Sequence, residues 1–206
     1  MYKLILFDFD GTIADTIELG VPIFNELAKK HNFLGIKNID ELRNVTLREF
    51  FKNHEVPKLK FPFYFKEFLK ELHKQIDKVQ VYDEMDDVVK KLNKNYKLGI
   101  VSSNSKENIK KFLKINDLEF CFDFVYNYSL LFGKAQIFKK IMRLKKLDKK
   151  DLVYIGDELR DIEASKKAGI DIISVTWGFN NKEILMKKNP TFIADKPKEI
   201  LKFLEK

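Results

Sequence analysis

Leu4-Ile5-Leu6-Phe7-Asp8-Phe9-Asp10-Gly11-Thr12 is the stretch whose reading decides the fold. A short apolar run ends abruptly in two carboxylates and a glycine. A run of this length between polar flanks reads as a buried strand of a parallel sheet. Side chains two apart on a strand point the same way, so Asp8 and Asp10 can converge just beyond the strand's end. Two carboxylates aimed at one point repel unless a cation or a shared proton lies between them. The stretch is therefore a candidate metal site, and Gly11 lets the backbone turn tightly against a ligand. The plainer alternative is a strand that closes in an Asp-Gly turn.

Downstream, Asp15 with Glu18 has the spacing of a capping box, and Ile17, Val21, Phe24 and Leu27 follow at helical intervals to about His31. Residues 38–54 read as further helix. Pro57 and Pro62 mark a break, and a helix is expected from Tyr64 to about Val79. Lys66, Lys70, Lys74 and Lys78 recur every four residues, as on a solvated face, with Phe65, Leu69 and Leu72 opposite. Residues 16–80 thus read as all-helical, with no strand signal. From residue 82 the pattern changes. Strands are expected at residues 96–101, 122–126, 152–155, 170–176 and 192–194, each separated by helix. Asn104 with Glu107 reads as a second capping pair, and Gly133-Lys134 opens a helix. Alternating strands and helices imply a doubly wound parallel sheet, α/β and Rossmann-like, with ligands beyond the carboxyl ends of the strands. The division expected is a core of residues 1–15 and 81–206 with an inserted all-helical unit at 16–80.

The 206 residues carry a formal charge of +8, yet only Arg43, Arg48, Arg143 and Arg160 are arginine. The lysines are spread among acids along the chain, which reads as solvated faces rather than a nucleic-acid site. No apolar run approaches membrane-spanning length, and Asp8 and Asp10 interrupt any signal-peptide pattern. The one cysteine, Cys121, cannot form an internal disulfide and reads as core, which fits a cytoplasmic protein. His31, His54 and His73 lack metal-ligand spacing, and Trp177 reads as structural.

Asp8-Phe9-Asp10-Gly11-Thr12, then Ser102 after an apolar strand, then Lys134, then Gly156-Asp157 and Asp161 resemble, in order, the four motifs of the haloacid dehalogenase-like hydrolase superfamily. The helical insertion resembles the α-helical cap of its phosphoglycolate phosphatase-like branch. The resemblance implies a Mg²⁺-dependent phosphatase acting on a small phosphorylated metabolite, of phosphoglycolate or sugar phosphate type, through an aspartyl-phosphate. It makes Asp8 the nucleophile and Asp10 the general acid and base. Ser102 and Lys134 would contact the phosphoryl group, and Thr12, Ser103 and Asn104 would bind substrate. It places Mg²⁺ on Asp8, the Asp10 backbone carbonyl and Asp157, with Asp161 supporting Lys134 or a metal-bound water. Asp10 argues against the dehalogenase and phosphonatase branches, which lack a second carboxylate there. A sugar phosphomutase and a catalytically idle ligand- or partner-binding member are the alternatives; oligomeric state stays open. The Tyr82-Asp83-Glu84-Met85 stretch departs from the family, whose members usually have a Pro-Gly turn there.

Overall fold

The computed structural model describes residues 2–128 and 133–205. In chain order the elements begin with β1 (Leu4–Phe7), β2 (Ala14–Asp15), α1 (Ile17–His31), α2 (Asp40–Arg43), α3 (Leu47–Asn53) and α4 (Phe61–Lys74). The chain then forms β3 (Gln80–Val81), α5 (Met85–Leu92), β4 (Lys97–Ser102), α6 (Lys106–Ile115), β5 (Phe124–Asn127) and α7 (Lys134–Lys145). It ends with β6 (Leu152–Gly156), α8 (Leu159–Ala168), β7 (Asp171–Val175), α9 (Lys182–Met186), β8 (Phe192–Ala194) and α10 (Pro197–Leu204).

Six strands pair in the order β5-β4-β1-β6-β7-β8, and every pairing is parallel. The strand period of two sorts β1 cleanly. Ile5 and Phe7 join a core with Val88 and Val89 of α5, Phe112 of α6 and Ile200 of α10. Leu4 and Leu6 face the other way, onto Phe138 of α7 and Ile162 of α8. β1 is buried along its whole length, which is why its sequence shows no polar alternation. After β1 the chain builds the sheet outward through β4 and β5, then crosses back to β6 and builds outward on the other side. The sheet's winding therefore reverses around β1, the position where open α/β sheets leave a crevice for ligands.

All of α1–α4 lies between β1 and β4 in sequence. This segment is tied to the sheet by an antiparallel ribbon, in which Ala14 pairs with Val81 and Asp15 with Gln80. At Gln80 the ribbon corrects the expectation that residues 16–80 hold no strand. It also displaces the expected Asp15–Glu18 box. The residue that caps α1 is Thr16, with no side-chain capping bond, while Asp15 accepts a hydrogen bond from the Tyr82 hydroxyl at 3.2 Å. Residues 38–54 divide into α2 and α3, and a true capping box, Thr46 with Glu49, starts α3. Pro62 lies in the first turn of α4, where its missing N–H costs nothing, so the helix begins at Phe61. α6 is capped by Ser105 rather than Asn104, which frees Asn104 for another role. At the family-atypical stretch, Glu84 adopts a left-handed backbone (φ 64°), the conformation a glycine would take without strain. Among the described residues no helix is long and apolar enough to cross a membrane.

Candidate active site

Three neighbouring strand ends converge at the carboxyl edge of the sheet. Asp8 follows β1 directly and its N–H donates to the Ile155 carbonyl of β6 at 2.8 Å. Ser102 is the last residue of β4, and Asp157 follows Gly156, the last of β6. Lys134 opens α7 and reaches in from the side. All four side chains are buried.

Lys134 Nζ donates to Asp8 Oδ2 at 2.6 Å and to Asp161 Oδ1. Burial alone would drive the lysine towards neutrality, but the carboxylates of Asp161 and Asp8 outweigh it and hold the ammonium charged. The faces of Tyr128 and Tyr154 lie 5.1 and 4.9 Å from the same nitrogen. Asp8 Oδ1 accepts the N–H of Phe9 at 2.7 Å, which fixes the carboxylate's rotation.

Asp8, Asp157 and Asp161 offer carboxylate oxygens that all lie within 4.8 Å of one another. Burial and the neighbouring charges of Glu158, Asp161 and Asp8 push Asp157 well above the ordinary carboxylate range. Burial likewise raises Asp161 to about 6, against the pull of Lys134. So these acids are under-compensated by the protein's own cations. An all-oxygen donor set with surplus negative charge fits a hard divalent cation such as Mg²⁺.

Asp10 stands apart from that triad. Its carboxyl is gripped by Asn104 Nδ2 at 2.8 Å and touched by the Ser102 hydroxyl at 3.4 Å. Burial, then the charge of Asp8, raises it to about 7, the range that suits a group giving and taking protons near neutrality. Asn104 is in turn held by Asn108, whose Nδ2 donates to Asn104 Oδ1 at 2.9 Å; His73 of α4 bonds Asn108 Oδ1 at 2.6 Å. A chain of side chains thus links the helical segment to Asp10, and His73 is a member of it rather than incidental.

Thr12, expected to contact substrate, is fully buried and donates its hydroxyl to Asp157 Oδ1 at 2.8 Å. Ser103 and Asn104 border the cavity described below, together with Asp10. Asp161 bonds Lys134, and its Oδ2 also accepts the Glu158 N–H at 3.0 Å, closing the first turn of α8.

Sequence reasoning missed the loop after β7. The Phe179 N–H donates to Asp157 Oδ2 at 2.7 Å, and Trp177 Nε1 donates to the Thr12 carbonyl at 3.2 Å. Gly178 passes so close that a Cβ there would stand 2.2 Å from the Gly11 carbonyl oxygen and 2.4 Å from Asp157 Cβ. A glycine at the carboxyl edge of a predicted strand was the signal that could have marked it. The pair Glu158 and Arg160 was also missed, although Glu158 directly follows Asp157.

A cavity of about 190 Å³ rises from Asp10, Asp157 and Glu158 into the space enclosed by α1, α3 and α4. Its walls in that segment are aliphatic and aromatic.

The profile of the family described as haloacid dehalogenase-like hydrolase matches residues 5–175. The chain is 29% identical over 205 residues to a phosphoglycolate phosphatase of Synechococcus elongatus, covering 97% of this chain and 95% of that one. It is 24% identical to pyrophosphatase PpaX of Bacillus mycoides, covering 98% and 96%. A haloacid dehalogenase-like family hydrolase from Streptococcus pneumoniae has the same fold, with a TM-score of 0.82, 23% identity and 98% of each chain covered.

Proposed function

This chain belongs to the haloacid dehalogenase-like hydrolase family and is a phosphatase of its phosphoglycolate phosphatase-like branch; from that premise we propose that it hydrolyses a small phosphomonoester, with Mg²⁺, through an aspartyl-phosphate, the acyl phosphate of Asp8. The observation that carries this reading is the convergence of Asp8, Asp157 and Asp161 oxygens within 4.8 Å of one another, with Lys134 bonded to Asp8. The Asp8 and Asp157 carboxylates and the Asp10 carbonyl would hold Mg²⁺, which would supply the positive charge that lets an anion approach an anion.

An Asp8 carboxylate oxygen attacks phosphorus, and the bond from phosphorus to the leaving oxygen breaks. Asp10, protonated near neutral pH, gives its proton to that oxygen. Asp10 then takes a proton from a water that attacks the same phosphorus. The Asp8 oxygen–phosphorus bond breaks, and inorganic phosphate leaves. Lys134 orients Asp8 and, with the Ser102 hydroxyl, stabilises the charge that gathers on the phosphoryl oxygens. In this reading residues 16–80 form a cap over the catalytic core of residues 1–15 and 81–206. Phosphoglycolate is the substrate in the Synechococcus relative's name, and pyrophosphate in the other's; the cap's own chemistry must decide for this chain.

The test is phosphate release from p-nitrophenyl phosphate. Turnover is expected with Mg²⁺ and lost in EDTA, and Asp8→Asn should lower kcat at least about a thousandfold. An Asp8→Asn protein that keeps most of the activity overturns the mechanism.

A further inference from the structure

The cavity above Asp10 reads as a leaving-group chamber. Its walls are built by Val21 and Phe24 of α1, Leu47 and Phe51 of α3, and Phe65 and Phe68 of α4. All six are half-buried side chains, so they present apolar surface to the cavity. Gly20, also in the wall, leaves room beside the Phe68 ring. The carboxylates lie on the floor, where Asp10, Asp157 and Glu158 border it beside Ser103 and Asn104, and Tyr64 of α4 brings the one polar side chain of that helix to the lining. Asp8, the nucleophile of the proposed reaction, does not border it, whereas Asp10, the acid that would protonate the leaving oxygen, does. A substrate phosphoryl group poised for attack by Asp8 would therefore direct its ester oxygen past Asp10 and into the apolar space.

Charge decides what can follow that oxygen. Among the described residues the lining holds one cation, Arg160. Its Nε and Nη2 both bond Glu158, each at 2.7 Å. Arg43 and Arg48, the arginines of the helical segment, do not line the chamber. A carboxylate or second phosphate on the substrate would lose its hydration against phenyl and aliphatic walls, with the lining's one cation already paired to Glu158. The hydroxyls of a sugar would meet the same walls. An apolar chain or ring meets surface that gains from its burial. There is room for one, since a dry apolar cavity of roughly 150 Å³ already holds a benzene ring.

We propose that the substrate is a phosphate monoester of an apolar alcohol, aliphatic or aromatic, whose hydrocarbon part occupies the chamber between α1, α3 and α4. The inference rests on the phosphatase reading above and departs from the anionic substrates in the relatives' names.

The experiment compares kcat/KM, with Mg²⁺, for methyl, butyl, hexyl and p-nitrophenyl phosphates, 2-phosphoglycolate, glucose 6-phosphate and pyrophosphate. Each added methylene should raise kcat/KM about fourfold until the chamber fills. Hexyl phosphate should exceed 2-phosphoglycolate at least about a hundredfold. Hexylphosphonate should inhibit far more tightly than methylphosphonate, in the same progression. Gly20→Leu, which fills the space beside Phe68, should lower the ratio of hexyl to methyl turnover at least about tenfold. A series independent of chain length, or a preference for 2-phosphoglycolate, glucose 6-phosphate or pyrophosphate, overturns the inference and leaves the phosphatase reading standing. Phosphate release from none of these esters, p-nitrophenyl phosphate included, overturns both.

Discussion

Replacing Lys134 by methionine keeps the length of the side chain and deletes one charge. That lysine is 5% exposed, and its ammonium bonds both Asp8 and Asp161, themselves 6% and 0% exposed. Removing one partner from a buried ion pair costs about 3–5 kcal/mol, because the charge left behind has neither water nor a partner. Protonation sets the ceiling. Neutralising a carboxyl that starts from the ordinary value near 3.9 costs, at pH 7.5, about 1.4 kcal/mol per pH unit over roughly 3.6 units, about 5 kcal/mol; Asp161, already raised to about 6 beside the lysine, has less of that left to lose. At pH 5 the same ceiling drops to about 1.5 kcal/mol. In the variant the orphaned carboxyls have raised pKa values in the folded state. The destabilisation is therefore absent below the ordinary carboxylate range and grows as pH rises. Urea unfolding in EDTA, where no divalent ion can stand in for the lysine, should show a loss of about 3–5 kcal/mol at pH 7.5 and less than half of it at pH 5. In a chain of this length that corresponds to a melting temperature lower by roughly 6–20 °C at pH 7.5. Asp161→Asn on the same background should recover part of the loss. A Lys134→Met protein within about 1 kcal/mol of wild type, or equally destabilised at both pH values, would refute the reasoning, since either is what a solvated lysine would give.

Two glycines should answer the same substitution oppositely. Gly178→Ala drives a Cβ into the Gly11 carbonyl oxygen and should cost about 3 kcal/mol or more in chemical denaturation. Gly20→Ala meets only an ordinary contact with Phe68 at 3.4 Å and should stabilise α1 by up to about 1 kcal/mol. Asn104→Asp puts a carboxylate in place of the amide that donates to Asp10; kcat should fall about a hundredfold or more while the melting temperature shows the protein folded. Glu67 is held below its ordinary value of 4.5 by hydrogen bonds from Lys30 and His31. Its contribution to stability is present above pH 4.5 and lost as pH falls through its lowered folded value. The small gap in melting temperature between wild type and Glu67→Gln should therefore close on acidification, and a gap that widens contradicts the assignment.

Much of this molecule was legible one element at a time. Leu4–Phe7 announces a buried parallel strand because both of its faces are covered, and periodicity records that locally. Lys66, Lys70, Lys74 and Lys78 are exposed, as a four-residue spacing requires. The errors fell where two local rules compete. Asn104 and Ser105 both have capping side chains, and only the tertiary demand of Asp10 for a donor at 2.8 Å assigns the cap to Ser105. Thr12 looked available to a ligand because nothing in its neighbourhood along the chain reveals Asp157, 145 residues away.

What the chain order determined unaided is the α/β sheet and the placing of Asp8, Asp10, Ser102 and Asp157 at strand ends. Strand period and turn chemistry operate over a handful of residues, so they can be read directly. Tertiary structure alone decided that the Asp8, Asp157 and Asp161 carboxylates converge, how closely Gly178 passes Asp157, and that the space above Asp10 is walled by phenyl and aliphatic groups. Those features depend on the distances between segments far apart in the chain. Packing sets such distances, because burial energy is gained wherever apolar surfaces meet, whatever their separation in sequence.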